Sequence, residues 1–143
     1  MWTYPYEIIA TGPGCGLLEF VRDGMSLDAI KSKNPGITLN EFFQGSYDNE
    51  KDLHRAKVNF CESLAAYSLI TYVLNVADRH NGNIIIDKDG HIIHIDFGFI
   101  FTSSPGGHMG FEKSPFKLTE EFVEVMDGIS SDLSEHFRSL LTK

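Results

Sequence analysis

Apolar positions fall into a few clear periods. Between Leu53 and Ala77, Phe60, Leu64, Tyr67 and Leu74 recur at spacings of four, three and seven, the rhythm of one helical face. The second half of that stretch, Leu64 to Ala77, is apolar nearly all round, which predicts a central helix packed on most sides. It is shorter than the roughly 20 residues a bilayer demands and carries polar groups, so it reads as a buried helix. Two isoleucine-rich runs, Asn83 to Asp87 and His91 to Asp96, flank the turn residues Lys88-Asp89-Gly90 and predict a β-hairpin.

Shorter elements are marked by their ends. Tyr6 to Ala10 and Leu17 to Val21 are β-prone runs joined by Thr11-Gly12-Pro13-Gly14-Cys15-Gly16, a turn and not a phosphate cradle, because the third glycine of G-x-G-x-x-G is missing. Ser26 caps a short helix that stops before Asn34-Pro35-Gly36, and Thr38 with Glu41 has capping-box spacing for another. Phe97 to Leu118 holds too many glycines and prolines for a regular element and reads as a long functional loop. Helix resumes after the cap Thr119, Gly128 closes it, and a last amphipathic helix runs from about Asp132 to Leu141.

Composition narrows the classes. At 143 residues with 42% hydrophobic and 12% aromatic side chains, the chain suits one domain with a real core and is no disordered tail. Twenty acidic against 12 basic residues give a formal charge of −8, which argues against a general nucleic-acid binder. Cys15 and Cys61 stand far apart with no C-x-x-C spacing, so neither a disulfide framework nor a zinc site is indicated, and a reducing compartment is the simpler reading. The first residues carry no basic region followed by an apolar run, unlike a secretory signal, so a cytosolic protein is expected.

The chemistry concentrates in Asp78-Arg79-His80-Asn81-Gly82-Asn83, the hairpin, and Asp96-Phe97-Gly98. Phosphoryl transfer needs an acidic or imidazole group near the attacking hydroxyl, and oxygen ligands that hold magnesium against nucleotide phosphates. Protein kinases set a catalytic Asp five residues before a metal-binding Asn and draw a second metal carboxylate from D-F-G; Asp78 to Asn83 has that separation, with Asp-Arg-His reversing His-Arg-Asp. On a strand His94 and Asp96 share a face while His91 points the other way, so the three do not form a metal triad. His91 reads as exposed and His94 as a structural, hydrogen-bonded residue. Phe97, Phe99 and Phe101 read as loop anchors in the core, and Phe111 and Phe116 as positions able to face a membrane.

Asp78 to Ile84 followed by Gly90 to Phe99 resembles the catalytic core of the phosphatidylinositol 3- and 4-kinase superfamily, and within it the sequence looks most like a type III phosphatidylinositol 4-kinase. Asn81-Gly82-Asn83, Phe99, Ser103-Ser104-Pro105-Gly106-Gly107 and Phe116 to Phe122 all fit that subfamily. The resemblance implies an α+β fold, a mainly helical kinase C-lobe with a catalytic hairpin and a remnant of the N-lobe and hinge strands. Residues 1–21 would be the last N-lobe strands and hinge, and 22–143 the C-lobe, with catalytic loop 78–83 and activation loop 96–118.

Roles follow by position. Glu19 and Val21, in the hinge-like Leu18-Glu19-Phe20-Val21, would offer backbone groups to the adenine of ATP. Asp78 and His80 match residues that activate the lipid hydroxyl, with Arg79 beside them; an Asp buried next to Arg79 stays ionised while a His titrates near neutrality, which favours His80 as base and Asp78 as its orienting partner. Asn83 and Asp96 match the two Mg2+ ligands. The loop 97–118 carries only Glu112, Lys113 and Lys117, with His108 near neutral, too sparse a basic set for a headgroup that already bears extra phosphates, so plain phosphatidylinositol is favoured. The implied activity is transfer of the ATP γ-phosphate to the 4-hydroxyl of phosphatidylinositol, at the cytosolic face of membranes, with adaptor proteins as further partners and no nucleic acid. About 16 residues precede Leu17, too few for the Gly-rich loop and phosphate-binding lysine of a kinase, so a chain of this length by itself is expected to be inactive. A related protein serine/threonine kinase and a non-catalytic regulatory module are the alternatives.

Overall fold

The computed structural model describes residues 1–101 and 116–142. Ser103 to Gly107, His108, Phe111, Glu112 and Lys113, all singled out above, lie outside the described residues. The fold mixes helices with small antiparallel sheets. Strands β1 (Ile8–Gly12) and β2 (Cys15–Leu18) form a two-stranded hairpin about Pro13-Gly14, where Gly14 takes φ 69°. Its apolar residues are exposed, Ile8 at 63% and Leu18 at 64%.

Strand β3 (Gly24–Ser26) was not legible in the sequence. It pairs antiparallel with β4 (Ile84–Asp87), which pairs with β5 (Ile92–His94), giving the order β3-β4-β5. Three residues carry no usable alternation; pairing with a strand some 60 positions away defines this one.

The helices begin where side chains can satisfy their first amides. Ser26 Oγ accepts from Ala29 N at the start of α1 (Leu27–Lys33), and Thr38 and Glu41 complete the capping box of α2 (Leu39–Ser46). Helix α3 (Glu50–Val73) begins at the Asn49 cap and so is offset from the expected span of 53 to 77. It stops because Asn75 turns left-handed, φ 49°, while Leu74 N still donates to Ile70 O. Tyr72 and Val73, 64% and 70% exposed, show that the end of this helix is not packed all round as its composition suggested. Helices α4 (Glu120–Val125) and α5 (Asp132–Leu141) start at Thr119 and Ser131, and Gly128 closes α4 at φ 97°.

The core forms around α3. Phe43, Phe60 and Phe122 stack edge to face with centroids 5.6 and 5.5 Å apart, locking α2, α3 and α4 together. Ser63 Oγ donates to Asn59 O at 2.7 Å and accepts from Ile92 N at 2.9 Å, which fixes β5 against the helix. The buried Lys57 ammonium meets Asp127 Oδ1 at 2.5 Å and ties α3 to the turn after α4.

Four expectations change. His91 is not exposed: its ring lies face to face with Trp2 at 3.8 Å and against Asp87 at 3.0 Å, because the N-terminal arm folds back across the hairpin. His94 is buried, yet its Nδ1 has no hydrogen-bond partner among the described residues. Phe97 does pack on the core, but Phe101 is 56% exposed, since its backbone is drawn out to pair with Leu74. Phe116 is partly buried, with one side of its ring packed against the core.

Candidate active site

The segment between α3 and β4 is pinned at both ends. Ala77 N donates to Phe99 O at 2.9 Å and Phe101 N to Leu74 O at 2.7 Å, so residues 74–77 and 99–101 run side by side. Asn83 N closes a tight turn onto His80 O at 2.9 Å, Ile95 N reaches back to Asn83 O at 3.0 Å, and residues 78–83 therefore abut the end of β5.

Within that loop the side chains are interlocked. Asp78 sits at φ 62° with its side chain 37% exposed, so the expectation of a buried carboxylate does not hold. Asn83 is buried, and its Nδ2 donates to Asp78 O at 2.9 Å and meets His80 Nε2 at 3.1 Å. His80 accepts at Nδ1 from Gly82 N, 3.1 Å away, and its Nε2 stands 3.9 Å from Asp78 Oδ2. A neutral imidazole has one accepting nitrogen. With an amide donor facing each nitrogen, the ring can satisfy only one of these contacts, and at 59% exposure it is free to turn away.

Arg79 is the bracket. Its Nε donates to Ala77 O at 3.1 Å, its Nη1 to Ile95 O at 2.7 Å and its Nη2 to Asp96 O, while the guanidinium lies over the Phe97 ring at 5.5 Å. A planar fork of donors suits three carbonyl oxygens from two strands of chain. Asp96 follows the end of β5 at φ 58°, off the strand alternation, and its Oδ1 accepts from Gly98 N at 3.2 Å.

Asp96 faces a cleft of about 570 Å³, within the range of small-molecule sites. Glu19 and Val21 line the same cleft, so three of the residues expected to serve nucleotide and metal meet there. Asp78, Arg79, His80 and Asn83 are not among its described walls; they join it through the Asn83–Ile95 and Arg79–Asp96 bonds. Glu19 N already donates to Glu7 O at 2.8 Å, and the Glu19 carboxylate takes Glu7 N and the Tyr4 hydroxyl. Tyr6 and Gly24 are cleft residues that sequence reasoning missed. Burial raises the Tyr6 phenol pKa, with Arg79 opposing and Asp96 adding to the shift. A Cβ on Gly24 would come 2.6 Å from Ile85 Cγ2, so the bare glycine lets β3 lie close to β4.

On the other side chain of this strand end, burial drives the His94 imidazole down to about 3, with the Arg79 charge adding to it. Its ring stacks on Tyr67 at 4.7 Å. At the opposite end of the hairpin, burial pulls the Asp87 carboxyl upward, but hydrogen bonds from the His91 side chain and backbone outweigh that and leave it below its ordinary value.

Comparison with known proteins bears on the same residues. The family described as phosphatidylinositol 3- and 4-kinase matches residues 27–143, which include the loop, the hairpin and Asp96. Over 146 residues the chain is 48% identical to phosphatidylinositol 4-kinase of Dictyostelium discoideum, covering 100% of this chain and 12% of that protein. It is 47% identical to phosphatidylinositol 4-kinase beta 1 of Arabidopsis thaliana, covering 98% of this chain and 13% of the other. Against phosphatidylinositol 4-kinase beta of Rattus norvegicus the identity is 46%, with 99% and 17% covered. The chain thus spans between 12% and 17% of these relatives' lengths. With a family match running from α1 to the end of the chain, over the loop and strand that build this site, the chain belongs to the phosphatidylinositol 3- and 4-kinase family.

Proposed function

We propose that the chain is part of a kinase catalytic domain that transfers the ATP γ-phosphate to the 4-hydroxyl of phosphatidylinositol. The observation that carries this reading is the cleft shared by Glu19, Val21 and Asp96, bonded at its edge to the loop holding Asp78, His80 and Asn83. In this reading residues 1–21 are strands and hinge, and 22–143 are the C-lobe with catalytic loop 78–83 and activation loop 96–118.

The donor set fits magnesium. Both Asn83 amide hydrogens are directed at Asp78 O and His80, which turns Oδ1 into the atom left to bind a cation. Asp96 uses Oδ1 on Gly98 N and keeps Oδ2. Two hard oxygens from adjacent chain segments, completed by water and nucleotide phosphates, match how this ion is held; among the described residues no cluster of three or more His, Cys, Asp or Glu stands as an all-protein cage. Held by Asn83 and Asp96, magnesium would supply the positive charge that offsets the negative charge of the nucleotide phosphates.

The remaining work falls to the chain. The hinge strand receives the adenine, with Val21 and the Glu19 carbonyl as its backbone contacts, because the Glu19 amide is engaged. Arg79 keeps Asp96 and the loop in register. His80 takes the hydroxyl proton on the nitrogen freed when its ring gives up one amide, and the Asp78 carboxylate 3.9 Å away orients the ring and offsets the charge it gains. Sparse charge in 97–118 favours phosphatidylinositol without further phosphates. In this reading the protein works at the cytosolic face of a membrane as a peripheral enzyme. Adaptor proteins are further partners in this reading.

The test uses the full-length polypeptide, because the relatives are far longer than this chain. Mg-ATP is supplied with phosphatidylinositol vesicles or with a peptide mixture, the lipid product isomer is identified, and Asp96→Asn is the control. The proposal predicts a 4-phosphate product that the substitution abolishes. Preferential peptide phosphorylation, or transfer undiminished by Asp96→Asn, would overturn it.

A further inference from the structure

A second cavity, of about 70 Å³, lies between α3, the loop 78–83 and the start of α4, and shares no described wall residue with the nucleotide-side cleft. Leu64, Val76, Ile84 and Phe122 give it apolar walls. Donors and acceptors both stand in its wall, the Arg79, Asn81 and Lys117 side chains at the loop and α4 side, and Ser68, Thr71 and His94 at the α3 and β5 side. Ser68 and Thr71 donate their hydroxyl hydrogens to Leu64 O at 2.6 Å and Ser68 O at 3.0 Å, so neither hydroxyl has a hydrogen left to offer a ligand. His94, only 7% exposed, lines the same space, and its Nδ1 has no hydrogen-bond partner among the described residues. A buried polar atom without a partner is rare in folded proteins and marks a place where a water or ligand belongs. The volume exceeds the roughly 10–15 Å³ that one water needs, so the space admits more than a single water.

We infer that this cavity is a binding site for a small neutral molecule with an apolar body and one hydroxyl, whose O–H is directed at His94 Nδ1 while the ring proton sits on Nε2. Apolar walls alone would select by size, whereas a buried acceptor at His94 Nδ1 selects for a ligand that brings its own hydrogen. The cavity is partly open, so the ring of a phenol-sized molecule extends into its mouth. Arg79 forms part of the wall and also holds the carbonyls of Ile95 and Asp96, so occupancy is felt at the end of β5. None of this depends on the phosphotransfer reading.

Phenol and toluene have nearly the same shape and differ by a hydroxyl against a methyl. Each is titrated into the isotopically labelled chain and followed by amide NMR. Phenol is expected to give saturable shifts at Ser68, Val76, Thr119 and Gly98, and to bind roughly fivefold more tightly than toluene although toluene is the more apolar. In His94→Phe, with the rest of the spectrum unchanged, the preference reverses. Toluene binding as tightly as phenol to the unmodified chain, or no saturable shift with either, means that the space holds waters only and overturns the inference. The unmodified chain decides this even if His94→Phe does not fold.

Discussion

Arg79 Nη1 donates to the carbonyl oxygen of Ile95 at 2.7 Å, and with the bonds to Ala77 O and Asp96 O it joins the loop after α3 to the strand that ends at Asp96. Three diverging acceptors ask for a fork of donors, which a lysine ammonium on a flexible stem does not reproduce. Arg79→Lys should therefore cost about 2 kcal/mol, the usual worth of a hydrogen bond to a charged group left unmade. Urea unfolding reads this as a lower midpoint at constant slope. A midpoint equal to that of the unsubstituted chain would show that the bracket contributes nothing.

Gly90 makes a different kind of close contact. It sits at φ 89° in the β4–β5 turn, and a Cβ there would lie 2.7 Å from Ala56 O and 2.8 Å from Ala56 Cβ. Backbone strain of about 1–2 kcal/mol adds to overpacking of about 1–3 kcal/mol. Gly90→Ala should lower the melting temperature by on the order of 10 °C. Gly128→Ala, at φ 97° with nothing within 4 Å, has the strain without the clash and should fall by less than half as much. Equal losses at the two positions would refute the role given to Ala56.

The contrast between legible and illegible features follows the range of the interactions behind them. Ser26, Thr38 and Thr119 cap helices through atoms three residues on, so their spacing alone announces the elements. The β4–β5 hairpin is equally local, closed by Lys88-Asp89-Gly90. Asp78, Asn83 and Asp96 could be singled out because their spacing belongs to a known motif, and backbone bonds do bring the loop and strand end together. What stayed hidden depends on distant chain. Trp2 covers His91, β3 exists only against β4, and the Phe101 backbone is drawn outward by Leu74 and Asn75. The His94 nitrogen, without a partner among the described residues, carries no sequence signal, because burial and pairing are properties of the assembled core.

Gly82 stands within van der Waals reach of His80: a Cβ would lie 3.0 Å from Cε1 and 3.1 Å from Nδ1. An alanine there makes the imidazole give by a few tenths of an ångström, which disturbs its placement against Gly82 N and Asp78. If His80 takes the hydroxyl proton, Gly82→Ala in the full-length enzyme should lower kcat by on the order of 10-fold, part of the roughly 10²-fold worth of a positioned base. The KM for ATP should stay nearly constant, since the cleft walls are elsewhere. Steady-state kinetics with both substrates separates the two effects; an unchanged kcat would move the proton to Asp78.

His94 gives the fold a pH dependence of known sign. Its ordinary pKa of 6.5 falls to about 3 in the folded chain, chiefly by burial and then by the Arg79 charge. Below pH 6.5 the unfolded chain binds a proton that the folded chain refuses until about pH 3, so acid favours unfolding across that window. One proton is worth about 1.4 kcal/mol per pH unit, or about 2 kcal/mol lost on going from pH 6.5 to 5. Asp87 adds its loss only below the ordinary carboxylate value of 3.8, which keeps the two contributions apart. Replacing the ring by His94→Phe preserves a face for Tyr67 and removes the titration. Chemical denaturation in the presence of a chelator, from about pH 6.5 to 4.5, should then show stability falling with acid by about one proton less in the variant than in the parent chain. Parallel curves would mean that the imidazole is already protonated in the fold, and that the core around Tyr67 tolerates its charge.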